Sequence, residues 1–194
     1  QEALIALDVI KAAGATAVVT LAMHQADVTR ENWTVADACK RLADAGADVV
    51  GLNCIRGPGT MMPLLRQIRA AVSIPIAALP VPFRTHEHEP SFQSLRDPHW
   101  HGHEENNTRP FPVALDPFTC NRFEIAEFGR EAYEMGIRYL GVCCGAGPHH
   151  IRALAEAVGK HPPGSKYSPD MSKHAFLGTH QRLAKVQKEY ADKL

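Results

Sequence analysis

The stretch Ala45-Gly46-Ala47-Asp48-Val49-Val50-Gly51-Leu52-Asn53-Cys54 places a glycine directly after a helical pattern, and an aliphatic run follows it. Glycine suits the left-handed position that ends a helix. The aliphatic run suits a strand that is buried on both faces of a parallel sheet. Related stretches occur at 13–21 and 135–144. This weak repeat predicts several β/α units whose strands are neighbours in one sheet.

Helical patterns and aliphatic runs alternate over most of the chain. Strands are predicted in the run that ends at Leu21 and at 49–53, 74–79 and 139–142. Helices are predicted at 2–13, 34–45, 61–72, 121–133 and 149–158, with Thr34 and Asn121 as caps. Four strands that alternate with five helices predict a parallel α/β fold.

Two segments do not follow this alternation. Residues 80–118 are rich in Pro, His, Asn and Arg and show no clear period. A loop of that length inside a compact domain is usually functional or mobile. Residues 160–194 begin with His161-Pro162-Pro163-Gly164-Ser165 and end in a charged helical pattern at about 178–193. We therefore predict one α/β domain at 1–159 and a C-terminal extension at 160–194.

The composition is that of a soluble globular chain. Its 194 residues are 45% hydrophobic and 22% charged, with no net charge. Without a basic excess no nucleic-acid partner is expected, and no apolar run approaches the roughly 20 residues of a membrane helix. Five cysteines, two of them adjacent, make a poor disulfide framework because a ring between neighbouring cysteines is strained. A reducing, cytoplasmic location is therefore expected.

Three of the cysteines follow predicted strands. Cys54 closes the strand at 49–53, and Cys143 and Cys144 close the strand at 139–142. Because parallel α/β folds build their sites at the carboxyl ends of strands, we expect these thiols at one edge. Three thiolates suit zinc and leave a fourth tetrahedral position open, as in catalytic sites. The alternative is a buried Cys54 in the core and an incidental vicinal pair.

Two histidine-rich stretches compete as metal sites. His86-Glu87-His88 and His99-Trp100-His101-Gly102-His103 have alternating spacings that could hold a metal. The simpler interpretation is a polar surface loop, in which adventitious binding is common. Trp100 and Phe111 are candidates for a lid over a pocket.

Further residues near the predicted site have simpler interpretations. His149-His150 opens a helix just after the vicinal cysteines, where capping and surface exposure are expected. The alternative for this pair is a role beside the metal ligands. Cys39 is expected in the core or on the surface of a helix, and Cys120 is expected to be incidental.

The two cysteine motifs together resemble a known zinc signature. Gly51-Leu52-Asn53-Cys54, followed by Gly141-Val142-Cys143-Cys144-Gly145, is similar to the paired motifs of homocysteine S-methyltransferases. The family usually has a second glycine where this chain has Val142, and that position is not a ligand. The resemblance continues around both motifs, covers most of 1–158 and is weakest at 84–112. The tail, with Asp170-Met171-Ser172-Lys173-His174, is similar to the extension of the betaine-dependent branch.

This resemblance implies a fold and a chemistry. The fold is a (β/α)8 TIM-type barrel, of which this chain holds about four strands, the second half, plus the extension. The implied site is Zn²⁺ held by Cys54, Cys143 and Cys144, with no catalytic residue beyond these ligands. The implied reaction is methyl transfer from glycine betaine, or a related donor, to the thiol of homocysteine, which gives methionine. The extension implies a homo-oligomer, and no residue here inherits the homocysteine or donor pocket.

Other functions stay open at this stage. The donor could be S-methylmethionine or S-adenosylmethionine, or the chain could be a non-catalytic fragment or homologue that binds zinc or homocysteine. An unrelated α/β enzyme with a redox-active vicinal dithiol is a third possibility. Because a complete barrel needs about 250 residues, we expect the 194 residues to be part of a longer enzyme and poorly active alone.

Overall fold

A computed structural model describes residues 1–24, 26–100, 108–175, 178–179, 189 and 193. Helices and strands alternate through these residues, as predicted. The helices are α1 (Glu2–Ala12), α2 (Val35–Asp44), α3 (Pro58–Ala71), α4 (Arg122–Glu134) and α5 (Pro148–Ala157). The strands are β1 (Val18–Leu21), β2 (Val49–Asn53), β3 (Ile76–Leu79) and β4 (Tyr139–Leu140).

The four strands form one parallel sheet in the order β1-β2-β3-β4. Val18 is opposite Val49, Val50 is opposite Ile76, and Ala78 is opposite Leu140. Strands that are consecutive in sequence are therefore neighbours in space, and all their carboxyl ends lie at one edge. The predicted α/β class and the parallel sheet are confirmed.

The main core joins the sheet to its helices. The predicted stripe of α3 is buried, since Leu64, Leu65 and Ile68 are at most 1% exposed. These side chains belong to the same apolar cluster as Val50 of β2 and Ile76 of β3. The predicted caps are also present, because the side chains of Thr34 and Asn121 accept hydrogen bonds from the first turns of α2 and α4. The core thereby holds the carboxyl edge of the sheet in a fixed position.

Several element boundaries differ from the prediction, among them the start of β3 at Ile76 rather than at 74, and two of the differences lie beside the cysteine motifs. Helix α3 starts at Pro58, three residues before the predicted start, because proline is favoured in the first turn and Gly57 precedes it as the cap. Strand β4 ends at Leu140, two residues early. On the neighbouring strand, Pro80 comes just after the end of β3. Proline has no N–H with which to continue the hydrogen bonds between β3 and β4. Cys143 and Cys144 therefore lie in a turn beyond the strand.

The long segment after β3 is not a polar surface loop throughout. Among its described residues the one regular element is a single 3-10 turn at Asp116–Phe118. Val81, Phe83, Phe92 and Leu95 nevertheless form a second apolar cluster with Ile55, which follows β2. This segment therefore packs onto the carboxyl edge of the sheet rather than extending into solvent.

The chain separates into two compact units, Gln1–Lys160 and His161–Leu194. The second unit contains two 3-10 turns, Pro163–Tyr167 and Met171–Lys173. The charged helix predicted at 178–193 lies outside the described residues, apart from 178–179, 189 and 193. Over the described part of the chain, no helix is both long enough and apolar enough to cross a membrane.

Candidate metal centre

The first element of the candidate site is the Cys54 turn, residues 53–57. Cys54 and Ile55 both have φ of 61°, in the left-handed region that residues with side chains rarely adopt. The Cys54 N–H donates to the Leu79 carbonyl at 2.8 Å, and the Ile55 carbonyl accepts from the Phe92 N–H at 2.9 Å. Hydrogen bonds to two other segments thus stabilise a sharp reversal that turns the Cys54 thiol toward β4.

A buried arginine supports the same turn. The Arg56 side chain is only 6% exposed and donates to the Met23 carbonyl at 3.0 Å and the Ala26 carbonyl at 3.3 Å. It also pairs with the Asp27 carboxylate at 2.7 Å. Because Met23, Ala26 and Asp27 follow β1, this guanidinium ties the loop after β1 to the turn after β2.

The second element is the vicinal turn, residues 141–147. The Cys143 N–H donates to the Pro80 carbonyl at 2.8 Å, which anchors the turn beside β3. Gly145 has φ of +87°, and a Cβ atom there would approach the Phe83 ring to 2.7 Å. Both the backbone conformation and the close approach of Phe83 favour glycine at this position. The turn can therefore fold closely over Phe83 and point its two thiols toward Cys54.

The three predicted thiols converge. The Sγ of Cys144 lies 3.6 Å from that of Cys54 and 3.7 Å from that of Cys143, and all three sulfur atoms lie within 4.8 Å of one another. Zinc with bonds of about 2.3 Å to tetrahedral sulfur ligands would place those sulfurs about 3.8 Å apart. The residues therefore fit a zinc ion. Within the described residues no other three His, Cys, Asp or Glu side chains converge in this way.

The environment of the thiols is apolar on one side. Cys54 and Cys143 pack against the cluster of Ile55, Val81, Phe83, Phe92 and Leu95, whereas Cys144 is exposed. Burial, with a smaller contribution from the neighbouring thiols, raises the pKa of Cys54 to about 12. Without a nearby cation this group stays protonated at neutral pH, since clustered thiolates repel one another. A divalent cation in this position reverses that balance and favours the thiolates.

The adjacent residues His149 and His150 lie in different environments. His149 is exposed, as expected, whereas His150 is 1% exposed, so the expected surface position is wrong for His150. Its Nδ1 accepts from the Gly147 N–H at 3.1 Å, which is the expected capping contact. Its Nε2 lies 2.8 Å from the Cys120 carbonyl. Burial and the neighbouring His150 lower the pKa of His149.

The remaining candidates either do not belong to the converging ligand atoms or lie outside the described residues. His86, Glu87 and His88 are exposed, in agreement with a surface loop. The edge of Phe111 contacts Phe92 with ring centroids 5.2 Å apart, and residues 101–107 lie outside the described residues, including His101 and His103. Cys39 is fully buried in α2, where burial raises its pKa to about 12. Cys120 is buried too, and its carbonyl rather than its thiol contacts His150.

The fold and these thiols define a parallel α/β protein with a three-cysteine centre at the carboxyl edge of its sheet. A family profile described as homocysteine S-methyltransferase matches residues 1–158. The chain belongs to the homocysteine S-methyltransferase family.

Curated relatives of two kinds are similar to the chain. Betaine–homocysteine S-methyltransferase 1 of Danio rerio is 32% identical over all of this chain and 48% of the relative. The protein of the same name from Xenopus tropicalis is also 32% identical, over all of this chain and 47% of the relative. S-methylmethionine–homocysteine S-methyltransferase BHMT2 of Mus musculus is 29% identical over all of this chain and 53% of the relative. The chain thus spans about half the length of the relatives it matches.

Sequence reasoning missed the residues that hold the two turns. Arg56 lies two residues after Cys54, and a lone charged residue in an otherwise apolar stretch was the available signal. The left-handed conformation of Cys54 and Ile55 has no sequence signal, because neither residue type favours it. The apolar cluster of the long segment was visible only as scattered Val, Phe and Leu residues without a period.

Proposed function

We propose that this chain forms the metal-binding part of a zinc-dependent homocysteine methyltransferase that uses glycine betaine. The observation that carries the proposal is the convergence of Cys54, Cys143 and Cys144 within 4.8 Å, in a chain of this family. Three protein ligands with one open position are typical of catalytic rather than structural zinc sites.

The residues of the chain have separate roles in this proposal. Cys54, Cys143 and Cys144 hold the metal, and bound zinc supplies a Lewis acid that lowers the pKa of a thiol at the open position. Cys144 is the most exposed of the three, so we place the open position on its side of the site. The cluster around Phe83 and Phe92 excludes water from the opposite side. Low local polarity strengthens the attraction between the thiolates and the cation.

The proposed reaction is a methyl transfer to sulfur. The homocysteine thiol loses its proton to solvent, and the resulting thiolate forms a new S–CH₃ bond. The C–N bond of the donor breaks, and its electron pair remains on nitrogen, so betaine leaves as dimethylglycine. No residue of the chain has to act as a general base in this scheme, because the metal site favours the deprotonated thiol.

S-methylmethionine is the second candidate donor. Relatives named for betaine and relatives named for S-methylmethionine match this chain with similar identity, 32% and 29%. Both donors carry a cationic onium centre, an ammonium in betaine and a sulfonium in S-methylmethionine, and aromatic faces bind such centres well. The donor must therefore be decided by experiment.

The test is methionine formation by the reduced natural protein with zinc and homocysteine. Glycine betaine, S-methylmethionine and S-adenosylmethionine are compared as donors, and Cys39→Ala serves as the matched control because Cys39 lies in α2, away from the site. We expect betaine to give the fastest turnover, with loss of activity in Cys54→Ser. Faster turnover with another donor would reassign the donor. If the protein binds zinc but forms no methionine with any of the three donors, it is a binding protein rather than an enzyme.

We also propose that the sheet is half of a closed (β/α)8 barrel. Among the described strands, β1 and β4 are each paired on one side only. Val18 on β1 is 41% exposed, and Ile5 and Val9 on α1 are 60% and 66% exposed. Such unpaired edges and apolar faces are normally covered, and the relatives are about twice as long as this chain.

The barrel proposal is tested by dye binding. We expect the 194-residue chain to bind a hydrophobic dye such as ANS at the faces of α1 and β1, and the natural protein to bind far less. Equal binding by both would contradict a barrel that covers these faces. A homo-oligomer built through residues 160–194 is the further expectation, and sedimentation of the natural protein with and without these residues tests it.

A further inference from the structure

His150 is a buried polar residue that the proposed methyl transfer does not use. It is 1% exposed, although it lies in the first turn of α5. A histidine in the first turn of a helix is normally solvated, so its burial requires hydrogen-bond partners on both ring nitrogens. Both partners are backbone groups, and they belong to different segments of the chain.

The hydrogen bonds of His150 determine which ring nitrogen carries the proton. The Gly147 N–H donates to Nδ1 at 3.1 Å, so Nδ1 contributes its lone pair. The proton of the neutral ring is then on Nε2, which donates to the Cys120 carbonyl at 2.8 Å. The ring therefore bridges the end of the vicinal turn and the residue that precedes the Asn121 cap of α4.

The bridge completes a chain of contacts around the vicinal thiols. At the start of the turn, the Cys143 N–H is held by the Pro80 carbonyl at 2.8 Å. At the end of the turn, the Gly147 N–H is held by His150. Cys120 is itself anchored, because its N–H donates to the Pro82 carbonyl at 2.8 Å. Both ends of the turn are thus fixed to the segment that follows β3.

We propose that His150 is a positioning residue for the metal site, which it serves by holding the vicinal turn through the Gly147 N–H. This inference rests on the zinc site of the proposed function. Cys143 and Cys144 must present two sulfurs to one metal, and a turn that is free at one end would sample other arrangements. Substitution of a residue that orients metal ligands without binding the metal typically lowers metal affinity by about 10- to 100-fold.

Two substitutions separate positioning from packing. In His150→Asn the amide oxygen lies near the position of Nδ1, so it keeps the bond to Gly147 and loses the bond to Cys120. In His150→Gln the amide nitrogen reaches the position of Nε2, so it keeps the bond to Cys120 and loses the bond to Gly147. Glutamine is closer to histidine in volume, so a role in packing alone favours His150→Gln.

The experiment measures zinc affinity in the reduced full chain by competition with a chromophoric chelator. We expect His150→Asn to remain within about threefold of wild type and His150→Gln to weaken zinc binding about tenfold. His161→Gln, at an exposed histidine that is not a candidate ligand, is the matched control and should bind as wild type. The d–d bands of the cobalt-substituted protein should change in His150→Gln and stay unchanged in His150→Asn.

Several results would overturn the inference. Equal zinc affinity in both variants, or weaker binding by His150→Asn than by His150→Gln, would assign His150 to packing. If His150→Gln does not fold, His150→Asn alone decides. A tenfold loss of zinc affinity in His150→Asn would assign His150 to packing, and wild-type zinc affinity in that variant would support the inference. Absence of zinc binding in the wild-type chain would remove the proposed function together with this inference, whereas the other results affect the inference alone.

Discussion

The Cys54 turn and the vicinal turn present sulfurs to one site, but they are held by different forces. The Cys54 turn has two consecutive left-handed residues, held by a buried guanidinium and by backbone bonds to two other segments. The vicinal turn has its left-handed position at a glycine and is fixed through Pro80 and His150. The first is a strained turn supported by buried charge, and the second is a relaxed turn held at its ends. Substitutions should therefore affect the two turns differently.

The largest expected effect is at the thiols themselves, where the two turns should be equivalent. We expect Cys54→Ser and Cys144→Ser each to weaken zinc binding by more than the roughly 100-fold that outer-shell changes reach, because each removes one of three thiolates. The check is chelator competition in reduced protein, with Cys39→Ala as the control. Tight zinc binding in either serine variant would show that its turn does not belong to the site.

The next largest effect is a loss of stability that we expect when the support of the Cys54 turn is removed. Arg56→Met leaves the buried Met23 carbonyl and the partly buried Ala26 carbonyl without their donor, so we expect a loss of about 3 kcal/mol in the free energy of unfolding. Arg66→Met is the matched control, because Arg66 is half-exposed and pairs with Glu131 at the surface, where about 0–1 kcal/mol is expected. Urea denaturation measures both. Equal losses would contradict a supporting role for Arg56.

A smaller loss of stability is expected when the glycine of the vicinal turn is replaced. Gly145→Ala combines a left-handed backbone with a Cβ atom 2.7 Å from the Phe83 ring, and we expect a loss of about 2 kcal/mol. Gly136 has a similar φ of +84° and open space around it, so Gly136→Ala should lose about 1 kcal/mol from the backbone alone. Thermal unfolding of the two variants gives the difference, and a Gly145 loss no larger than the Gly136 loss would exclude the contact with Phe83.

The smallest effect concerns the ion pair between Arg84, which follows β3, and Glu124, in the first turn of α4. The Arg84 guanidinium donates to both carboxylate oxygens of Glu124 and lowers the pKa of that carboxyl from its usual 4.5. Since the folded pKa is depressed, this stabilisation is present above pH 4.5 and is lost as the pH falls through the folded value. The pair is partly exposed, so Glu124→Gln should cost less than about 1 kcal/mol at neutral pH.

Unfolding of wild type and Glu124→Gln across pH measures that cost. The difference between the two proteins should shrink steadily on acidification below pH 4.5. A difference that is independent of pH would show that the carboxylate charge of Glu124 contributes nothing.

The parallel topology and the convergence of the three thiols at one edge of the sheet could be predicted from the sequence, because both depend on local patterns. Helix periods, aliphatic runs and caps locate the strand ends, and parallel pairing brings the strand ends together. The end of β4 was misplaced because Pro80, on the neighbouring segment, stops the ladder. The burial of Arg56 and His150 was not predicted, because each has a hydrogen-bond partner about 30 residues away in sequence, the Met23 carbonyl for Arg56 and the Cys120 carbonyl for His150. Only the folded chain shows that these polar side chains are buried.

Zinc-edge X-ray absorption tests the central claim most directly, because it counts the sulfur atoms around the metal. The reduced chain loaded with zinc should show the three sulfur ligands of Cys54, Cys143 and Cys144. In Cys144→Ser the count should fall by one, and in Cys39→Ala it should be unchanged. A first shell of mainly nitrogen and oxygen atoms, or a sulfur count that Cys144→Ser leaves unchanged, would contradict a zinc site formed by the two turns.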